Sequence, residues 1–209
     1  MKIIQCVREI GAGGGVSGVA QALLTEFKLL GHESGSFTLS DIGIHRSKSK
    51  SKRLAWKKLV HLFDVVAFTF FGTLIGVIKS RGAQVICHND GMFGQVYVNH
   101  GMHRAMLDAS GHKWRLLARN PIHVFLLARE FVRFRFSIHR HIVCFSKMEA
   151  TQLNAYYPST VGKVTIIPNG VDLARFRVIP GCRRSRMELL GVVEDDFVIV
   201  FVGHEFERK

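Results

Sequence analysis

The chain has 209 residues, 47% of them hydrophobic, and a formal net charge of +13. That length holds one domain, or one domain and a piece of another, with a real buried core. Four thinly spread cysteines with no C-x-x-C pair exclude a disulfide framework and a cysteine-based zinc site, and the opening lacks the apolar stretch and cleavage site of a signal peptide, so a cytoplasmic protein is expected.

Residues 2–8 alternate and read as a first strand. Residues 11–18 form a glycine loop, Gly-Ala-Gly-Gly-Gly-Val-Ser-Gly. Residues 16–30 carry helical periodicity through Val16, Ala20, Leu23, Phe27 and Leu30, and Gly31 ends that helix. A second strand follows near 34–39. Strand, loop, helix and strand in this order open an α/β sheet. Residues 45–53 alternate basic and small polar residues and predict a loop. Residues 56–79 predict one strongly apolar helix. Its charge-free run, 65–78, is shorter than the ~20 residues of a bilayer span, so a buried or interfacial helix is expected rather than a crossing.

Strands are predicted at 83–88 and 94–99. Asn120-Pro121 is an N-cap followed by a proline at the first helical position, opening a helix to about 136. Residues 141–145 are a strand, and Ser146-Lys-Met-Glu149 is a capping box at the head of the next helix. Residues 163–167 are a strand broken by Pro168-Asn169-Gly170. A short basic helix over 183–190 and an apolar strand over 197–202 complete the pattern.

The charge is not evenly spread. Residues 45–58 hold seven Lys/Arg and no acid, and residues 103–141 hold eight against Asp108 and Glu130. Localised charge of this kind implies an anionic partner. Residues 112–141 interleave bases with Trp114, Phe125, Phe131, Phe134 and Phe136. Such a helix can lie on an anionic membrane with Arg115, Arg119, Arg129 and Arg133 toward lipid or acceptor, or it can be a core helix with a solvated arginine face. No nucleic-acid-binding motif is present, so no nucleic acid is expected.

Gly13-Gly14-Gly15-Val16-Ser17-Gly18 fits G-x-G-x-x-G after a strand and before a helix. Free N–H groups there can hold a phosphate; a bare turn is the plain alternative. A nicotinamide dinucleotide needs an acid near the end of the second strand, and Asp41 is the candidate, although it falls later than the motif expects. His100, in Val98-Asn99-His100-Gly101, follows a strand, and ligands of open α/β sheets bind at the carboxyl ends of strands. His103 is a weaker second candidate.

Ile167-Pro168-Asn169-Gly170-Val171-Asp172 with Arg175-Phe176 resembles the interdomain connection of family 4 glycosyltransferases. Ile142–Ser146 resembles that family's V-x-x-S strand end, and Asp196–Gly203 the first strand of its second domain, followed by the basic pair Arg208-Lys209. The glycine loop and His100 fall where the family places its loop and its active-site histidine. The resemblance implies a GT-B fold, with residues 1–167 as the acceptor-side Rossmann-like domain, 168–182 as interdomain linker and 183–209 as the start of the nucleotide-sugar domain. It implies sugar transfer with retention and without a metal or other cofactor, from a nucleotide-sugar donor to a glycan or lipid-linked acceptor. By the same resemblance Gly14 and Gly15 donate N–H groups to the donor diphosphate, His100 contacts the transferred sugar, and Arg208 and Lys209 neutralise the leaving diphosphate. The family's E-x7-E pair is expected beyond Lys209, so this chain is expected to be a fragment with little activity alone. A non-catalytic membrane- or acceptor-binding module and an NAD(P)-binding protein are the alternatives.

Overall fold

Six short strands form one sheet in the computed structural model, which describes residues 1–11, 15–45, 54–173, 176–177, 179–193 and 196–199. β1 (Lys2–Cys6), β2 (Glu33–Phe37), β3 (Gln84–His88), β4 (Val96–Val98), β5 (His141–Cys144) and β6 (Val164–Ile166) lie in the order β2-β1-β3-β4-β5-β6. Every neighbouring pair is parallel. Parallel neighbours require crossover connections, and helices supply most of them. α1 (Gly15–Leu29) joins β1 to β2. A run made of α2 (Leu54–Ala67), a wide π turn (Phe68–Gly72) and α3 (Thr73–Lys79) leads to β3. Then α4 (His103–Ala109), α5 (Lys113–Arg119) and α6 (Pro121–Arg135) join β4 to β5, and α7 (Lys147–Tyr156) joins β5 to β6. This is the α/β, Rossmann-like parallel sheet expected of the N-terminal half of a GT-B fold.

The register explains where the core sits. Phe37, Cys6, Cys87, Tyr97, Ile142 and Val164 form one row across all six strands. They pack against Phe68 from the π turn, Phe134 of α6 and Leu153 of α7. The alternate residues Ile3, Gln5 and His88 point to the other face, and all three are buried. Cys6, Cys87 and Cys144 are buried free thiols.

Local signals place most helix ends. Gly31 sits at φ +80, and its N–H and that of His32 return to Lys28 and Phe27 carbonyls at 3.0 and 2.9 Å, closing α1 as a left-handed cap. Asn120 caps α6 by accepting from the Ile122 N–H at 3.3 Å. Ser146 accepts from the Glu149 N–H at 3.1 Å. The Glu149 carboxylate does not close back on Ser146. It reaches the Phe145 N–H at 2.8 Å and the Asn99 amide at 2.7 Å, tying α7 to the end of β4.

Three expectations change. The helix over 54–79 runs unbroken through Asp64, so its stretch Leu59–Lys79 is 21 residues, long and apolar enough to cross a membrane by length and composition. Length therefore does not exclude a span; packing does the discriminating, since the run buries one side against the sheet and bares the other. Asp196–Ile199 is not a strand, and residues 200–209 lie outside the described residues. α4 occupies a stretch for which no element was predicted, and the segment 112–141 read as one helix is divided into α5 and α6 at Asn120.

The chain divides into two units, Met1–Asn169 and Gly170–Lys209. The first holds the whole sheet. The second contains α8 (Cys182–Leu190), bounded by Gly181 and Gly191, both with positive φ.

Candidate active site

Two neighbouring strands deliver polar residues at their carboxyl ends, along one end of the sheet. β3 ends in His88, followed by Asn89 and Asp90. β4 is followed by Asn99 and His100. Gly101 then takes φ +112, a conformation open to glycine and strained for any L side chain, and it turns the chain away just after the histidine.

His100 is held from below. Its Nε2 lies 2.9 Å from His88 Nδ1, and His88 Nε2 lies 2.8 Å from Gln5 Oε1. His88 and Gln5 are fully buried. Burial and the neighbouring His100 push the His88 pKa down to about 3, and burial pushes His100 down to about 4. Both rings are neutral near pH 7, so a single proton lies in the bond between them. With the Gln5 carbonyl accepting, His88 carries its proton on Nε2, and His100 donates from Nε2. The His100 Nδ1 then remains as that ring's free lone pair. Phe145 meets the His100 ring edge-on at 5.1 Å and fixes its remaining freedom.

Two clefts flank this end. A cavity of about 270 Å³ is lined by Asn89, His100, Gly101, His103 and Glu130. A larger one of about 630 Å³ is lined by Arg8, Ser17, His61, His88 and Asp90. The second reaches the head of α1, where Gly15 has φ +61. His103 stacks on His123 at 5.1 Å, with its pKa lowered to about 4 by burial, by His123 and by Arg129. Glu130 caps α4 by accepting from the His103 and Arg104 N–H groups, and it accepts from Tyr157 Oη at 2.9 Å.

The loop between them is stapled by arginines. Arg129 Nη1 meets Asp90 at 2.8 Å, and Arg8 pairs with the same carboxylate. Arg133 donates to Tyr97 Oη at 3.0 Å, to the Gly91 carbonyl at 2.9 Å and to the Asn89 carbonyl, and its guanidinium lies 4.2 Å over the Tyr97 ring. Asn89 has φ +49. These contacts correct the expectation that Arg129 and Arg133 face lipid. Arg133 is 3% exposed and the Arg129 side chain 8%, both turned under the loop 89–91, and both line the cavity of about 270 Å³ beside His100. Counting charge along a helix does not reveal which arginines turn inward to bind carbonyls. Arg115 and Arg119 are exposed.

Asp41 is also accounted for. Its carboxylate accepts from the Thr38 N–H at 2.7 Å and the Thr38 hydroxyl at 3.0 Å, closing a capping box on the 3-10 turn Leu39–Ile42. Both bonds fall on the same carboxylate oxygen, Oδ2. Gly14, Arg208 and Lys209 lie outside the described residues. Sequence reasoning missed Gln5 and His88; a glutamine inside an otherwise apolar strand was the available signal.

Residues 13–175 match the family model of Glycosyltransferase Family 4. The chain belongs to this family. Two curated relatives are similar over shorter stretches. D-inositol 3-phosphate glycosyltransferase of Actinosynnema mirum is 39% identical over 62 residues, 30% of this chain and 14% of that protein. The enzyme of the same name from Geodermatophilus obscurus is 44% identical over 55 residues, 26% of this chain and 12% of that protein. The family 4 match takes in Gly15, His88 and His100 together, so the end of the sheet described above falls within the matched region.

Proposed function

We propose that this chain supplies the acceptor-side half of a glycosyltransferase that moves a sugar from a nucleotide-sugar to a hydroxyl of a glycan or lipid-linked acceptor, with retention and without a metal. The observation that carries the reading is His100, neutral, presented at the end of β4 by Gly101 and oriented through His88 by Gln5. A neutral imidazole with a free lone pair can accept from a sugar hydroxyl without adding charge near the breaking bond. Gly15 at the head of α1 and, by the family resemblance, Gly14 contribute N–H groups to the diphosphate. Arg208 and Lys209 offset the charge that grows on the leaving diphosphate.

The test is nucleotide release from a panel of UDP-, GDP- and ADP-sugars by the protein as its native source makes it. The acceptor panel includes lipid-linked glycans and, on the names of the two relatives, an inositol phosphate. His100→Ala should lower turnover roughly 10²-fold with the circular dichroism spectrum unchanged. Turnover equal to that of the parent protein would show that His100 is not the sugar-contacting residue.

A further inference from the structure

Asn89 stands where the two clefts meet. Among the described residues it alone lines both the cavity of about 270 Å³ beside His100 and the cavity of about 630 Å³ that reaches the head of α1.

Its backbone is held in a conformation that few residues adopt. β3 ends at His88, and the Asp90 N–H returns to the His88 carbonyl at 2.6 Å. Asn89 is therefore the apex of a three-residue turn, at φ +49. The surroundings of the apex are tied down. The Asn89 carbonyl accepts from Arg133. The Gly91 carbonyl accepts from Arg133 at 2.9 Å and from the Cys87 thiol at 3.1 Å. The Asp90 carboxylate pairs with Arg8 and Arg129, and its carbonyl accepts from the Thr69 hydroxyl at 3.1 Å. Gly91 has no room to settle deeper, since a Cβ there would stand 2.8 Å from Cys6 Sγ and 2.9 Å from Cys87 Sγ. A left-handed residue supported from so many sides is of the kind that functional sites retain.

The side chain is the exception. The Asn89 amide is half-buried and makes no hydrogen bond to any of the described residues. Asparagine tolerates the left-handed region, and that alone accounts for its place in a turn. It does not account for an unpartnered amide at the junction of two clefts. An amide carries an oxygen that accepts and an NH2 that donates, so one side chain can serve a hydroxyl in one cavity and an anionic oxygen in the other.

We propose that Asn89 is a second substrate-contacting residue beside His100. Its amide oxygen accepts from the acceptor hydroxyl in the smaller cavity, and its NH2 donates to an oxygen of the nucleotide-sugar in the larger one, so that a single side chain aligns the two. This rests on the glycosyltransferase reading and adds to it the residue that fixes the acceptor hydroxyl against the donor.

The test uses the protein as its native source makes it, with UDP-, GDP- and ADP-sugars as donors and with lipid-linked glycans and an inositol phosphate as acceptors. Glycine takes φ +49 without strain, so Asn89→Gly keeps the turn and loses only the amide. Its urea midpoint should hold or rise, while kcat/KM for the acceptor falls at least about tenfold. Asn89→Asp keeps an accepting oxygen but puts a carboxylate where the NH2 donates. It should retain more of the acceptor kcat/KM than the glycine variant, with the donor KM raised at least about tenfold by repulsion of the diphosphate. A glycine variant with the kinetics of the parent would overturn the proposal and leave Asn89 a turn residue. So would one whose urea midpoint falls together with its turnover. A parent protein that releases nucleotide from none of these donors would overturn the glycosyltransferase reading and this assignment with it, whereas an active parent matched by both variants would overturn the assignment of Asn89 alone.

Discussion

α6 and the run from α2 to α3 exchange the roles that their compositions suggest. α6 is rich in arginine, yet it turns Arg129 and Arg133 into the protein and uses them to hold the loop 89–91. The α2–α3 run is nearly all apolar, yet it turns Phe63, Phe70, Phe71 and Leu74 to solvent. The lesson is that composition sets how much a helix can bury, not which residues it buries. Unpaired backbone carbonyls at a sharp loop call for multi-donor guanidinium groups, and α6 is the element that passes beneath that loop.

The largest effect is expected where the exchange is most complete. Arg133→Ala removes the donor of two loop carbonyls and of Tyr97 Oη, all in a buried setting. Leaving such groups unpaired, with a void beside them, should cost about 3 kcal/mol in urea unfolding. A loss below about 0.5 kcal/mol, the size expected of a surface change, would mean that Arg133 behaves as a solvated helix residue after all.

Acid should find the same region next. His139 is 2% exposed, donates from Nδ1 to the Gly94 carbonyl at 3.1 Å, and stacks on Tyr97. Burial, then Arg133, lowers its pKa from the ordinary 6.5 to about 3. A depressed histidine binds its proton more readily when unfolded. Its contribution is therefore present in full above pH 6.5 and is lost as pH falls toward 3, by up to about 1.4 kcal/mol per pH unit. His88, His100 and His103 act in the same direction. His139→Gln should flatten the stability-versus-pH slope between pH 6 and 4 by roughly one proton's worth. An unaltered slope would place the charged ring in a solvated setting.

What could be read from the sequence follows the range of the forces involved. Gly31, Asn120 and Ser146 act within a few residues, and each sits at the helix end its chemistry predicted. Each of the six strands of the sheet falls on a predicted segment, β1 by its alternation, although the strand expected over 197–202 does not form across 197–199, and His100 was visible in its place between a strand and a glycine. The rest depends on partners far apart in the chain. Gln5 and His88 are 83 residues apart, and Arg133 and Asn89 are 44 apart. No local pattern marks which glutamine meets which histidine. Asp41 was legible as an acid near a strand end, but only its contact with Thr38 shows it occupied in a cap. The π turn at Phe68–Gly72 was equally hidden, because an added residue in one turn leaves no periodicity of its own.

The smallest effect separates the exposed arginines from the buried ones. Arg115 and Arg119 are the two arginines of the membrane expectation that do reach solvent, on the short helix α5. Each substituted by alanine should change folding stability by less than about 0.5 kcal/mol in urea unfolding. A loss approaching that of Arg133→Ala would mean that these side chains hold structure as the buried arginines of α6 do, and exposure would then not separate the two groups of arginines.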